Sequence, residues 1–331
     1  MKVTIRDVAK EANVSASTVS RVLSNSSRIS EETKKRVNEA IKKLNYVPNA
    51  MARGLATKNT NILAVIVPQG AEDVFDNQFY VQAMKGISIC AEKKHYYIMY
   101  AYQDNRDNET DWIKRFVESN LVDGICLLRV KDNDECVKYL RKIDFPFVVI
   151  GRNEDTEDLL WVDNDNYKAV YDLVNLLMKK GNNKIGYVGA EANLNVSIDR
   201  LRGYKDALRD NMLSIDENLI YNGEGFSIQE GEKGAEKILK SDVTAIVAAD
   251  DLLAFGIQNV IKISGEKNIS VVGFNNTYLS AYREPPLASV DINAERLGYY
   301  AIKILVEYLA SERKLKNNQI IDVNLIERES L

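Results

Sequence analysis

The chain's most suggestive side chains are hydroxyls and a guanidinium rather than a catalytic set. From Ser15 to Arg21 the sequence reads Ser-Ala-Ser-Thr-Val-Ser-Arg, with Val19 and Val22 as apolar anchors. Hydroxyls and the N–H groups of a helix start bind phosphates, and an arginine fork pairs with a guanine O6/N7 edge or with phosphate. The plainer reading is that these Ser and Thr residues cap a surface helix. Charge favours the first reading. Residues 1–60 carry 12 Lys/Arg against 5 Asp/Glu, a net of +7, and the remainder carries 32 against 43, a net of −11. A basic end on an acidic body suits nucleic acid, although a solvated basic helical tail would show the same count. Enzyme signatures are missing. There is one histidine, His95, and three cysteines, Cys90, Cys126 and Cys136, with no C-x-x-C. The sequence has no P-loop, G-x-G-x-x-G, nucleophile elbow or metal-ligand cluster. Carboxylates are plentiful but none is singled out, so no enzyme, cofactor or metal is expected.

Positioning those residues requires helices first. Thr4 with Asp7 three residues on predicts a capped start, and Ile5, Val8, Ala9 and Ala12 share a face. Ser15 caps a second helix with Ala16, Val19, Val22 and Leu23 inside. Asn13 suits the left-handed turn between the two. Ser30 caps a third helix, with Glu31 and Glu32 at its positive end and Val37, Ile41 and Leu44 inward. Residues 46–60 read as a linker: Pro48 breaks the helix, and Asn49 can cap a short one over Ala50–Ala56. After residue 60, apolar runs at Ile62–Val67, Tyr97–Ala101, Gly124–Leu128, Phe147–Ile150, Ile185–Val188, Leu219–Tyr221, Ala245–Ala248 and Ser270–Phe274 alternate with amphipathic stretches. That alternation predicts parallel sheets covered on both faces, with a ligand crevice at the strands' carboxyl ends. Ala294–Leu309 and Gln319–Ile326 add a helix and a strand. The expected fold class is an all-α helix-turn-helix headpiece plus an α/β core of two doubly wound parallel-sheet subdomains.

Composition agrees. At 331 residues, 45% hydrophobic and 28% charged, the chain is neither disordered, collagen-like nor a disulfide scaffold. Its longest apolar run, Ile62–Pro68, is far short of the roughly 18 residues that span a bilayer. The charged start lacks a signal-peptide core, so a reduced, cytoplasmic protein without membrane association is expected.

Residues 1–60 resemble the headpiece of the lactose-repressor (LacI/GalR) family of bacterial transcription regulators. The resemblance rests on Val3-Thr-Ile-Arg-Asp-Val-Ala, Val14-Ser-x-Ser-Thr-Val-Ser-Arg-Val22, Ile29-Ser-x-x-Thr33 and Leu44-Asn-Tyr-x-Pro-Asn49, and it continues through the core. It implies a headpiece at 1–46, a hinge helix at 47–60 and a ligand-binding, dimerising core at 61–331. Within the core it implies an N-subdomain of about 61–160 and 292–331 and a C-subdomain of about 161–291. Ala16, Ser17 and Arg21 would face major-groove bases. Thr4, Ser15, Thr18, Ser20, Ser24, Ser30, Thr33 and Tyr46 would contact phosphates. Asn49, Ala52, Arg53 and Leu55 would lie on a hinge helix in the minor groove, with Leu55 wedged between base pairs or packed against a paired hinge helix.

The same resemblance likens the core to periplasmic sugar-binding proteins. It implies that Arg200 grips ligand hydroxyls or carboxylates and that Phe226 stacks on the ligand. Phe79, Arg152, Trp161, Asp165, Asp250 and Asn275 would sit at strand ends or on the rim of the pocket. Asp250 also reads as a helix cap, Trp161 as core and Arg200 as a salt-bridge partner. Ala249, Asn275 and Gly151 depart from polar residues common in the family and argue against a lactose-like ligand. Ile150-Gly-Arg-Asn153, Trp161-Val-Asp-Asn-Asp-Asn166, Asp250–Gly256 and Gly273-Phe-Asn-Asn-Thr277 are most similar to maltose-operon repressors. The partners implied are a pseudo-palindromic double-stranded operator, a sugar effector of the maltose or maltodextrin type, and a second copy of the chain. The chain stops at Leu331 without a leucine-rich extension, so a homodimer rather than a tetramer is expected. The implied activity is repression relieved by sugar. A corepressor-dependent or global carbon-catabolite regulator is the alternative within the family. An extracytoplasmic sugar-binding protein is the alternative outside it, and the charged start and basic headpiece count against it.

Overall fold

The computed structural model describes residues 3–23, 26, 28–47, 59–68, 77–102, 110–152, 159–265, 268–313 and 317–331. Ser24, Asn49, Ala52, Arg53 and Leu55 lie outside the described residues, as does the expected hinge helix. The chain divides into two compact units, one containing the first 61 residues and the other residues 62–120 and 124–331.

In the first unit three helices form where capping and periodicity require them: α1 (Ile5–Glu11), α2 (Ala16–Leu23) and α3 (Glu31–Lys43). The Thr4 backbone N–H and hydroxyl both donate to the Asp7 carboxylate, at 2.8 and 2.7 Å. These bonds hold the Asp7 carboxyl below its ordinary value. Asn13 has φ 54°, the left-handed geometry that joins α1 to α2 with almost no loop. Val8, Ala9, Ala12, Val19, Val22, Val37 and Ala40 form a small core of their own.

In the second unit, β-branched and apolar runs form inner strands buried on both faces, as expected when helices cover a parallel sheet, while the edge strand Tyr97–Tyr102 leaves three tyrosines exposed. Ten strands alternate with seven helices before the carboxyl end: β1 (Ile62–Val67), α4 (Gln78–Lys93), β2 (Tyr97–Tyr102), α5 (Asp111–Glu118), β3 (Gly124–Leu127), α6 (Glu135–Lys142), β4 (Phe147–Ile150), β5 (Leu160–Asp163), α7 (Asn166–Lys179), β6 (Ile185–Gly189), α8 (Asn195–Asp210), β7 (Ile220–Asn222), α9 (Ile228–Ile238), β8 (Ala245–Ala248), α10 (Asp251–Ser264), β9 (Ser270–Phe274) and β10 (Ala288–Asp291). Then follow α11 (Ala294–Ala310), β11 (Gln319–Ile320) and β12 (Asn324–Ile326). One sheet has the order β11-β5-β4-β3-β1-β2 and is parallel throughout. The other has the order β12-β10-β9-β8-β6-β7 and is parallel except for β12. This is the doubly wound, two-sheet core that the strand–helix alternation predicts.

Three details depart from the sequence reading. β5 and β10 are strands that the apolar runs do not announce. Each carries a buried polar residue, Asp163 and Ser289, that only a tertiary partner makes affordable. Ser289 donates to Asp251 at 2.6 Å. The single strand expected at Gln319–Ile326 is two: β11 extends the first sheet, and β12 runs antiparallel to β10 in the second. The last residues therefore return to the second sheet instead of staying with the first. Its otherwise bare β10 edge is covered as a result.

The chain consequently passes between the sheets three times, after β5, after β10 and after β11. Asn164 ties these crossings together: its side-chain N–H₂ donates to the carbonyls of Ile292 and Ile321 at 3.0 and 2.8 Å. α4 and α11 pack closely over the first sheet, where Gly86 and Gly298 let the backbones meet. A Cβ at Gly298 would lie 2.0 Å from the Ala83 carbonyl oxygen. No helix among the described residues is long and apolar enough to cross a membrane.

Candidate functional site

The headpiece presents one polar helix face. On α2 the exposed residues are Ser17, Ser20 and Arg21, opposite buried Val19 and Val22. Spacings of three and four residues put them on one stripe. Ala16 and Thr18 are half-buried beside it. The Ser15 hydroxyl accepts from the Thr18 N–H at 3.1 Å and meets the Ser17 and Thr18 hydroxyls at 2.7 and 2.9 Å. It therefore caps the helix and also orders the two hydroxyls next to it. Ser30 repeats the arrangement on α3, accepting from the Thr33 N–H at 3.3 Å and pairing with its hydroxyl at 2.9 Å. Thr4 is exposed at the start of α1, and Tyr46 is half-buried against the headpiece core. Helix starts, hydroxyls and a guanidinium offer donors to phosphate oxygens and base edges.

The second polar concentration is a cleft between the carboxyl ends of the two sheets, an empty space of about 670 Å³ that opens to solvent. Its lining combines aromatic faces, Phe79 and Phe226, with carboxylates, amides and guanidinium groups. Phe79 sits at the start of α4, where Asn77 caps the helix by accepting from the Phe79 N–H at 3.0 Å. Arg200, on α8, is almost wholly buried. Its Nε donates to Asn166 Oδ1 at 3.0 Å, its Nη1 donates to the Ala249 carbonyl, and its guanidinium lies 4.4 Å from the Phe274 ring centre. Asn166 in turn donates to Asp163 at 3.0 Å. Burial lowers the Arg200 pKa, opposed by Tyr187 and by Asp250, Asp163 and Asp251.

Asp250 caps α10 by accepting from the Leu252 N–H at 2.6 Å, and its other oxygen accepts from Asn275 Nδ2 at 2.5 Å. Asn275 follows β9 with φ 100°, a conformation that turns its amide toward Asp250. Burial is the main cause that pushes both Asp163 and Asp250 up to about 7. The neighbouring Asp251 charge adds to the rise at Asp250, and Arg152 opposes it at Asp163. Near neutrality the cleft can thus present a carboxyl as donor or acceptor, which suits hydroxyl ligands.

The folded chain holds these protons more tightly than the unfolded chain, whose Asp pKa is 3.8. Stability contributed by the protonated form is therefore present at low pH and lost as pH rises from about 4 through about 7. Asp250→Asn keeps an acceptor for Leu252 and removes one titration. Its urea midpoint should decline less than the wild type's across that window. An identical decline would mean that Asp250 does not titrate there.

Five of the eight residues named from the sequence, Phe79, Arg200, Phe226, Asp250 and Asn275, line the cleft. Arg152, Trp161 and Asp165 do not line it and cluster beside it. Arg152 lies 5.9 Å from the Trp161 ring centre and pairs with Asp163 at 3.5 Å and Asp165 at 3.8 Å. Asp165 is occupied as the cap of α7, accepting from the Lys168 N–H. The sequence reading missed Asn77, Arg129, Asp163, Asn164, Asn166 and Asn195, all of which line the cleft. The run Asp163-Asn-Asp-Asn166 directly after an apolar stretch was the available signal for three of them. Among the described residues, no group of three His, Cys, Asp or Glu side chains is placed to hold a metal ion.

Comparison with known proteins follows the same division into headpiece and core. The pattern of the family "Bacterial regulatory proteins, lacI family" matches residues 4–49, and that of the "Periplasmic binding protein-like domain" matches residues 174–331. The HTH-type transcriptional regulator MalR of Streptococcus pneumoniae serotype 4 is 35% identical over 337 residues, spanning 99% of this chain and 100% of its own. The transcriptional regulator CelR in complex with cellobiose superposes with a TM-score of 0.77 at 27% identity, covering 99% and 100% of the two chains. The lac repressor dimer bound to operator and an anti-inducer shares the fold, with a TM-score of 0.84 at 23% identity over 100% and 99% of the chains. With a helix-turn-helix headpiece, a two-sheet periplasmic-binding-like core and full-length identity of this order, the chain belongs to the LacI family of bacterial regulatory proteins.

Proposed function

We propose that the chain is a cytoplasmic transcriptional repressor of saccharide-utilisation genes, of the maltose or maltodextrin type, released from its operator by a sugar bound in the core cleft. The observation that carries this reading is the cleft's polar set, Asp163, Asn166, Arg200, Asp250 and Asn275, facing the rings of Phe79 and Phe226 in a chain that also holds a helix-turn-helix. Sugars pair a rim of hydroxyls with apolar ring faces, and this lining answers both. A phosphorylated ligand fits less well, because the two cleft arginines are already set among carboxylates: Arg129 pairs with Glu191 at 3.5 Å, and Arg200 lies near Asp163 and Asp250.

In this reading residues 1–46 read DNA, residues 47–60 form the hinge and residues 61–331 bind sugar and dimerise. Thr4, Ser15, Thr18, Ser20, Ser24, Ser30, Thr33 and Tyr46 hold phosphates, and Ala16, Ser17 and Arg21 meet bases. Asn49, Ala52, Arg53 and Leu55 belong to the minor-groove contact. A homodimer places two headpieces on a twofold operator, the assembly in which the lac repressor was solved. Sugar releases DNA by favouring a core state with poorer operator affinity, a coupling of about 1–3 kcal/mol, or roughly 5–150-fold. No chemical reaction is assigned to the protein.

Thermal melting with maltose, cellobiose, maltotriose and glucose 6-phosphate tests the effector. The true effector at about 100 times its Kd should add about 2.7 kcal/mol to core stability. It should also release genomic fragments retained by the full-length protein. The reading fails if no neutral saccharide shifts melting, or if one does and retained DNA is indifferent to it.

A further inference from the structure

One edge of the cleft is bridged by the protein itself. After β3 the chain continues through Leu128, Arg129 and Val130, which line the cleft, to Lys131 and Asp132. After β6 it reaches Asn193 and Leu194 on the facing side. Lys131 and Leu194 form an antiparallel bridge, and the Asp132 N–H donates to the Asn193 carbonyl at 2.8 Å. Arg129 pairs with Glu191 at 3.5 Å one step inward, with side-chain exposures of 15% and 28%. Just behind, Asn195 Nδ2 donates to the Arg152 carbonyl. These contacts join a loop of the first sheet to a loop of the second, and all are protein-to-protein bonds, additional to whatever a ligand bridges.

We propose that these two loops form a latch at one edge of the cleft, in which Glu191 is a positioning residue that sets how often the lips part and hence how fast effector enters and leaves. The proposal rests on the cleft being the effector site. It follows from where the bonds lie. A bridge along one edge of the cleft narrows the way out for a ligand, so each latch bond lowers the population of the fully open form. A single ion pair that keeps some access to water and sits at 3.5 Å is a modest contact, so Arg129–Glu191 tunes this equilibrium, and the backbone bridge supplies the register. Charged lips around an uncharged ligand also predict a salt effect that direct hydroxyl recognition would lack.

The bridge offers its own test. Register places Asp132 directly opposite Asn193, and both are exposed. Opposed strand residues are within reach of a disulfide. Native thiols will not compete, because Cys90, Cys126 and Cys136 are buried, and burial pushes Cys90 up to about 11 and Cys126 up to about 12. Full-length Asp132→Cys/Asn193→Cys should cross-link readily in sugar-free solution. Once oxidised, it should exchange maltose more slowly until dithiothreitol restores the wild-type rate. Separately, Glu191→Gln should speed maltose release about two- to five-fold, the range for a partly exposed pair. Release from the wild type should quicken with added salt, and release from Glu191→Gln should not. Failure to cross-link in sugar-free solution overturns the latch, as does unchanged maltose exchange in the oxidised protein. Equal salt dependence in both proteins removes Glu191 from its role. If the wild type binds none of the neutral saccharides, the functional reading is at fault, and cross-linking yield alone then decides whether the lips meet.

Discussion

Replacing Arg200 with alanine is expected to reduce effector affinity about a hundred-fold or more, because two charge-assisted hydrogen bonds to a ligand are worth about 1.5–3 kcal/mol each. Its position makes this more than a guess about a buried arginine. Two of its N–H groups are spent inside the protein, on Asn166 and on the Ala249 carbonyl, and the residue lines the cleft. The internal bonds fix the fork, so a ligand pays little to order it. The same bonds mean that Arg200→Ala also harms the fold. Asn166 Oδ1 and the Ala249 carbonyl lose their donor, at about 1–3 kcal/mol each. Calorimetric titration well below the melting midpoint separates the two losses, and Arg200→Lys supplies the control. Lysine keeps the charge but not the fork, so its affinity should fall between wild type and alanine. Operator affinity without sugar should change little in either variant. Unchanged sugar affinity in a folded Arg200→Ala protein would make Arg200 a strut between α8, α7 and β8 and nothing more.

Arg200 also marks where the sequence is legible and where it stops being so. Helices announced themselves because capping and 3.6-residue periodicity are local: Thr4, Ser15 and Ser30 sit where α1, α2 and α3 begin. Strands buried on both faces announced themselves as apolar runs. β5 and β10 did not, because Asp163 and Ser289 are tolerated only through side-chain partners outside their own strands, Asn166 and Arg152 for one and the distant Asp251 for the other. In the cleft, Arg200, Phe226, Asp250, Asn275 and Phe79 could be named from resemblance to a family. Asn77, Arg129 and Asn195 could not, since each is an ordinary polar residue at the end of a loop until the two sheets bring the loops together. Arg152, Trp161 and Asp165 show the converse. Strand-end position placed them near the cleft, but their mutual contacts keep them beside it. The division of the carboxyl-terminal strand into β11 and β12 was equally hidden, because nothing in Gln319–Ile326 says that its two halves pair with different sheets.

The other large effect concerns DNA. Deleting residues 1–58 removes 12 Lys/Arg against 5 Asp/Glu and leaves a body with a net charge of −11. Such a body repels a phosphate backbone, so operator binding should vanish, a loss of the order of the 10³–10⁷-fold by which specific binding exceeds non-specific. Sugar binding should survive, because every residue lining the cleft lies after position 76. A cut at residue 58 also spares Thr60 and Asn61, whose N–H groups donate to Asp123 at 2.7 and 2.8 Å. Within the headpiece the expected effects are graded by contact type. Arg21→Ala should cost about 1–3 kcal/mol and relax the preference at one base pair, because a bidentate base contact carries both affinity and choice. Ser20→Ala, at a phosphate-type position, should weaken all sequences alike. Salt gives the independent check. If a dimer makes roughly six to ten phosphate contacts, affinity should fall about 10³–10⁵-fold between about 50 and 200 mM salt through counterion release. That dependence belongs to the headpiece cations and is distinct from the salt effect expected on sugar release from the cleft. A truncated protein that still binds operator, or a full-length protein whose DNA affinity ignores salt, would mean that the polar face of α2 is a solvated helix surface and that the contact with DNA lies elsewhere.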